Sequence, residues 1–150
     1  MMRLSPETQD ELERFFREHR GDARLRLPPV SIHGGSFARL LTRAAGVSAI
    51  TFGRHVFVAP RLLRRRAGGR VRMEGWLLAH EAAHVLQYAE RGWPRFLWGY
   101  LRGYFRGLKT GRGWGRTART AAYLSIAEER EARAAEEAFA ARRAQIRRAD

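Results

Sequence analysis

The alternation of apolar and polar positions divides the chain into helical runs around one β-rich segment. Ser5 and Pro6 have the form of an N-cap and first helical position. Leu12, Phe15, Phe16 and His19 then follow at helical spacing until Gly21 stops the run. LRLPPVSI (25–32) is predicted to be extended, because each proline disfavours helix in the residue before it. Ser36 is predicted to cap a short helix, FARLLTRAA, that ends at Gly46. In AITFGRHVFVAP (49–60) two β-rich runs flank Gly53-Arg54, which predicts a hairpin closed off by Pro60.

The pattern is helical again from about Arg70 to Arg91, with Gly92 and Pro94 ending the run. An amphipathic stretch, PRFLWGYLRGYFRGL, leads into the glycine-rich KTGRGWGRT. One long helix rich in Ala, Glu and Arg is then predicted from Arg116 to about Arg148. The expected fold class is α+β, mainly helical, with a small β-hairpin or sheet. No internal repeat or second domain is visible. The expectation is one domain over 1–150, with 1–35 an N-terminal helix and extended segment, 36–92 the hairpin and central helix, and 93–150 a helical part.

The central helix carries the candidate chemistry. LAHEAAHVLQ contains His80, Glu81 and His84 in the order H-E-x-x-H. Four residues apart on a helix, the two imidazoles leave the same face about one turn apart and can reach one metal ion. Glu81 is rotated by roughly 100° from His80, so it can hold a zinc-bound water and take its proton without binding the metal. Leu78, Ala79, Ala82, Ala83, Val85 and Leu86 are uncharged, so no adjacent cation competes with a metal and the helix can be buried.

A catalytic zinc usually takes three protein ligands, and this stretch supplies two. The metzincin pattern needs Gly at 87 and His at 90, where this chain has Gln87 and Glu90. No histidine follows His84, and no acidic residue stands between Arg91 and Ala127. The third ligand is therefore sought on the last helix, among Glu128, Glu129 and Glu131, with His33 or His55 as an upstream alternative. Glu131 lies nearest the middle of a small apolar face formed by Leu124, Ala127, Ala134, Ala135 and Ala138, where a buried carboxylate would want a cation. Helix geometry alone leaves the choice open.

Composition adds three constraints. Among 150 residues, 29 are Lys or Arg against 15 Asp or Glu, and Lys109 is the only lysine. That charge favours anionic partners, although arginine accumulation without a ligand explains it equally well. Cysteine is absent, which excludes disulfides, Cys-ligated zinc and thiol catalysis. The N-terminus is polar and acidic where a signal peptide would be basic and then apolar, and no apolar run is long enough to span a membrane. The expected location is the cytoplasm, with export by dedicated machinery compatible.

The hairpin and helix together carry a resemblance. AITFGRHVFVAP followed by a Trp-Leu-Leu run and HEAAHVLQ is similar to the small zincin-like domain found with extracellular contractile injection systems, in which a stretch such as FTVGRHVFFAP precedes H-E-x-x-H-V-x-Q. YLSIAEEREARAAE is similar to the second motif of gluzincin-like proteins, a pattern such as P-F-E-x-E-A whose first glutamate is taken as the third zinc ligand. Residue by residue that glutamate is Glu129, with Glu131 in reserve. Ala127 and Glu128 stand where Pro and Phe are usual, and Arg133 where an Asp or Asn often stands behind the ligand.

The resemblance implies a zinc-dependent metallopeptidase of gluzincin type. His80, His84 and Glu129 would hold Zn2+, and Glu81 would act as general base on a peptide or protein substrate. It further implies a hairpin strand, within Thr51–Ala59, that binds peptide in extended form. A transition-state donor is also expected, for which Tyr123 and His55 are candidates. Two other classes are carried beside this one. One is a catalytically weak scaffold or docking domain of a secretion or injection apparatus. The other is a basic nucleic-acid-binding protein with a structural zinc. The latter draws on RGYFRGLKTGRGWGRTAR (102–119), whose cations and aromatics can grip a phosphate backbone. Helical spacing favours the simpler reading of that segment as surface helix and loop, with Tyr100, Tyr104 and Phe105 in the core.

Overall fold

Two short strands flank the first helix. Strand β1 is Met2–Arg3, and helix α1 is Pro6–Arg20. Ser5 caps α1 as its sequence predicts, its Oγ accepting from the backbone N–H of Thr8 at 3.3 Å, and Gly21 ends it at φ 64°. The structure is a computed structural model that describes residues 2–65, 71–110 and 115–149.

The extended segment after α1 becomes β2 (Ser31–His33), followed by α2 (Ser36–Ala45). Ser36 lies inside α2, whose N-cap is Gly35 and makes no side-chain bond. The predicted hairpin forms as β3 (Ala49–Phe52) and β4 (His55–Val58), with Gly53 at φ 57° in the turn. The sheet order is β1-β2-β4-β3, parallel only between β2 and β4. That order makes β4 a central strand and β3 an edge.

Two corrections concern the elements around the motif. The helix expected from about Arg70 begins instead at Gly75. Leu63–Arg65 and Val71–Met73 pair antiparallel as β5 and β6, a ribbon whose run of arginines hid its strand character. Helix α3 (Gly75–Arg91) is buried continuously from Leu77 to Tyr88, so it is the central helix rather than a surface one. Gly92 ends α3, and α4 runs from Trp93 to Thr110. The glycine-rich loop predicted next falls largely outside the described residues.

The single long C-terminal helix is in fact two, α5 (Arg116–Ser125) and α6 (Ala127–Ala149). Ile126 breaks it. With ψ at 130° it is extended, and its carbonyl accepts from Arg130 N–H at 3.0 Å as the N-cap residue of α6. Burial of Ile126, which is 0% exposed, favours this break over a continuous helix.

The α+β class expected from the sequence is what the chain adopts. Its core joins α1, the sheet, α3 and α6, with Phe15 edge-on to both Phe16 and Phe139. Among the described residues, no helix is long and apolar enough to cross a membrane.

Candidate metal centre

Helix α3 presents His80 and His84 on one face, and the start of α6 brings Glu129 against them. The three residues are buried and offer ligand atoms within 4.8 Å of one another. His80 Nε2 lies 3.5 Å from Glu129 Oε2, and His84 Nε2 lies 3.4 Å from Glu129 Oε1. Two ligands each about 2.0–2.1 Å from one tetrahedral zinc stand roughly 3.3–3.4 Å apart, so the spacing fits such an ion.

A second observation favours the fit. Glu129 Oε2 is, among the described residues, the one buried side-chain polar atom with no hydrogen-bond partner. An orphaned carboxylate oxygen in a buried site is costly unless a cation completes it. The residues present therefore suit a divalent metal ion.

The outward nitrogens are also held. His80 Nδ1 pairs with Glu136 Oε2 at 3.0 Å, and His84 Nδ1 pairs with Gln87 Oε1 at 2.9 Å. Carboxylate and amide oxygens accept there, so each Nδ1 carries the proton and each Nε2 lone pair faces Glu129. Gln87 is itself fixed, its Nε2 donating to the Glu128 carbonyl at 3.1 Å and to Glu131 Oε2 at 2.8 Å.

Glu129 accepts a hydrogen bond from Tyr100 Oη at 3.0 Å on Oε1, and Tyr123 lies beside it in the cleft lining. Burial alone would raise its pKa, but His80, His84 and Tyr123 outweigh burial and hold the carboxyl well below the ordinary carboxylate range. Burial and the Glu129 charge push both tyrosines far up, so they remain protonated donors. His84 is raised: burial opposes its charge, yet Glu129 and Glu81 favour it more.

Glu81 is also buried in α3, 4% exposed, and accepts from Thr51 Oγ1 at 2.6 Å on Oε2. That contact ties the edge strand β3 to the motif helix and fixes the plane of the carboxylate. Glu81, Glu129 and both histidines line a cleft of about 410 Å³ whose walls are β3 on one side and α4 on the other. Among the described residues, no lysine or arginine lines it.

The other residues singled out from the sequence lie elsewhere. Glu131 is 40% exposed at its side chain and pairs with Arg20 at 2.6 Å. Ala132, Ala135 and Phe139 form the buried face of α6; of the expected face Ala135 is buried and Ala138 packs partly buried against the core, while Ala134 is exposed, because Phe139 anchors the helix where alanines alone leave its rotation open. Leu124 is 40% exposed on α5. His33 and His55 pair with each other at 3.1 Å and do not join the cluster. Arg133 stacks over the Tyr123 ring at 5.9 Å. Support for the ligands falls instead to Glu136, Gln87 and the two tyrosines.

Sequence reasoning assigned Tyr100 to the core and missed its contact with Glu129. Its spacing on α4 carried no signal beyond an apolar helix face. Phe105, also assigned to the core, is 54% exposed. Of the range Thr51–Ala59 in which a peptide-receiving strand is expected, β4 is paired on both sides, while Thr51 and Phe52 belong to β3, an edge strand of the four-stranded sheet.

The fold and the buried His-His-Glu group define a small α+β protein with a site that can hold a metal ion. A family model described as the eCIS core domain matches residues 3–92, and the chain belongs to that family. Membership associates it with extracellular contractile injection systems. The match takes in α1, the sheet and α3, and stops before α4 and the glutamate of α6. Comparisons with curated proteins and with solved structures return no match.

Proposed function

We propose that the protein is a zinc-dependent metallohydrolase, a peptidase of gluzincin type. The observation that carries the reading is the convergence of His80, His84 and an orphaned Glu129 oxygen beside a buried glutamate that is not part of the cluster. Two histidines and one carboxylate make the donor set of a catalytic zinc, with one position left for water or substrate. When bound, the ion supplies a positive centre that polarises an acyl oxygen and lowers the pKa of a water molecule.

The chain's own residues do the rest. Glu81, held in plane by Thr51, takes the proton from the attacking water and later passes it to the leaving amine. An extended peptide adds along β3 by main-chain hydrogen bonds, which brings its carbonyl past Glu81 in the cleft. Tyr100 donates its hydrogen bond to Glu129 and orients it, while Tyr123, protonated at the cleft wall, is the group that donates to a developing oxyanion.

The test is cleavage of a mixed peptide library by zinc-loaded protein and by Glu81→Gln. The expected result is turnover by the wild type and a loss of about 10²–10⁴-fold in the variant, with zinc content and fold unchanged. A wild type that holds zinc, cleaves nothing, and unfolds on His80→Ala would instead be a scaffold of the injection apparatus.

A further inference from the structure

Helix α4 faces three ways. Its inner positions pack on the cleft and on α3, and its glycines Gly99, Gly103 and Gly107 pack on Glu128, Ile126 and Ala122 respectively. The outer face carries Pro94, Trp98, Leu101 and Phe105 at i, i+4, i+7 and i+11, which is one stripe of a helix. Trp98 is 69% exposed, Phe105 54% and Leu101 40%. Immediately beside that stripe run Arg95, Arg102, Arg106 and Lys109, all exposed, and α4 contains no acidic residue.

We propose that this outer face of α4 docks on an anionic lipid surface. A basic stripe alone fits any polyanion, and an apolar stripe alone fits any greasy partner. Their juxtaposition on one convex helix matches a bilayer interface, where Trp and Phe enter the headgroup layer while Arg and Lys meet lipid phosphates. The excess of 29 basic over 15 acidic residues adds long-range attraction to the same surface. Leu101 belongs both to the stripe and to the cleft lining, so docking sets the cleft mouth at the lipid boundary. The inference does not depend on catalysis.

The experiment is co-sedimentation of the whole protein with phosphatidylcholine vesicles, with and without phosphatidylglycerol. Tryptophan emission is recorded in parallel, and circular dichroism and zinc content verify each variant. Three double variants are compared with the wild type: Trp98→Glu with Phe105→Glu, Arg95→Glu with Arg102→Glu, and a charge-matched control, Arg24→Glu with Arg39→Glu, on other elements.

The wild type is expected to pellet with the anionic vesicles only, with a blue shift that Trp98→Phe reduces. Each cation near such a surface contributes about fivefold, so the Arg95/Arg102 variant binds on the order of thirtyfold more weakly or worse. The Trp98/Phe105 variant loses binding and the control keeps it, while Glu81→Gln binds like the wild type. The proposal is overturned by absence of vesicle binding, by equal binding to neutral vesicles, or by a control that falls as far as the α4 variants. Tight binding to a short DNA duplex that survives Trp98→Glu with Phe105→Glu, without vesicle binding, assigns the surface to nucleic acid and overturns it too.

Discussion

Substituting alanine for two glycines one turn apart on α4 tests how the tyrosines are brought to Glu129. A methyl group built at Gly107 meets Ala122 Cα at 2.6 Å, Ser125 Oγ at 2.7 Å and Ala122 Cβ at 2.9 Å. The first of these is backbone of α5 and cannot swing aside. At Gly103 the nearest atoms are Ile126 side-chain carbons at 3.6 Å, an ordinary contact. Replacing glycine by alanine inside a helix gains about 1 kcal/mol where space allows. Overpacking costs about 1–3 kcal/mol where it does not.

Gly103→Ala is therefore expected to stabilise by up to about 1 kcal/mol. Gly107→Ala is expected to destabilise by up to about 2 kcal/mol, the clash less the helical gain. The two should then differ by about 2–12 °C in Tm, at roughly 2–4 °C per kcal/mol for a chain of this size. Urea unfolding gives the same comparison through the midpoint at constant slope. Because α5 carries Tyr123, the Gly107→Ala shift should also weaken metal binding, and Gly103→Ala should not. Equal stabilisation by both substitutions would refute the close α4–α5 packing on which this reasoning rests.

Two further outcomes follow from the site. Glu136→Ala removes the acceptor on His80 Nδ1, which is part-exposed and so structurally tolerant, and zinc affinity by competitive titration should fall about 10–100-fold with little change in fold. The metal-induced rise in Tm should shrink as pH falls. His84 is raised above the ordinary histidine value of about 6.5, so in the metal-free protein its proton contributes stability that is fully present below about 6.5 and lost as pH rises through the higher folded value. Acid thus favours the protonated metal-free site while it opposes the metal, and a Tm difference that grew on acidification would contradict the assignment.

The sequence made the motif helix and the hairpin readable because both depend on local signals. Gly53 supplies the positive φ of the turn, and the i, i+4 spacing puts both histidines on one face whatever the tertiary context. Strands β1 and β2 were not readable as a pair, since Met2–Arg3 and Ser31–His33 are too short to carry a period and exist only through their register with each other and with β4.

The break at Ile126 carried no Gly or Pro. The motif that YLSIAEEREARAAE resembles carries a proline at the position of Ala127, the first residue of α6, where proline suits a helix start. Glu129 became a member of the cluster through that break and through Phe139, which set the rotation of α6. An alanine-rich pattern does not encode that rotation.

Zinc content per chain, after metal-replete purification, tests the centre most directly. Wild type, Glu129→Ala and Glu131→Ala are compared by elemental analysis alongside circular dichroism. One zinc in the wild type and in Glu131→Ala, lost in a folded Glu129→Ala, is the result the His80–His84–Glu129 centre predicts. No zinc in the wild type, or a loss on Glu131→Ala but not on Glu129→Ala, would contradict it.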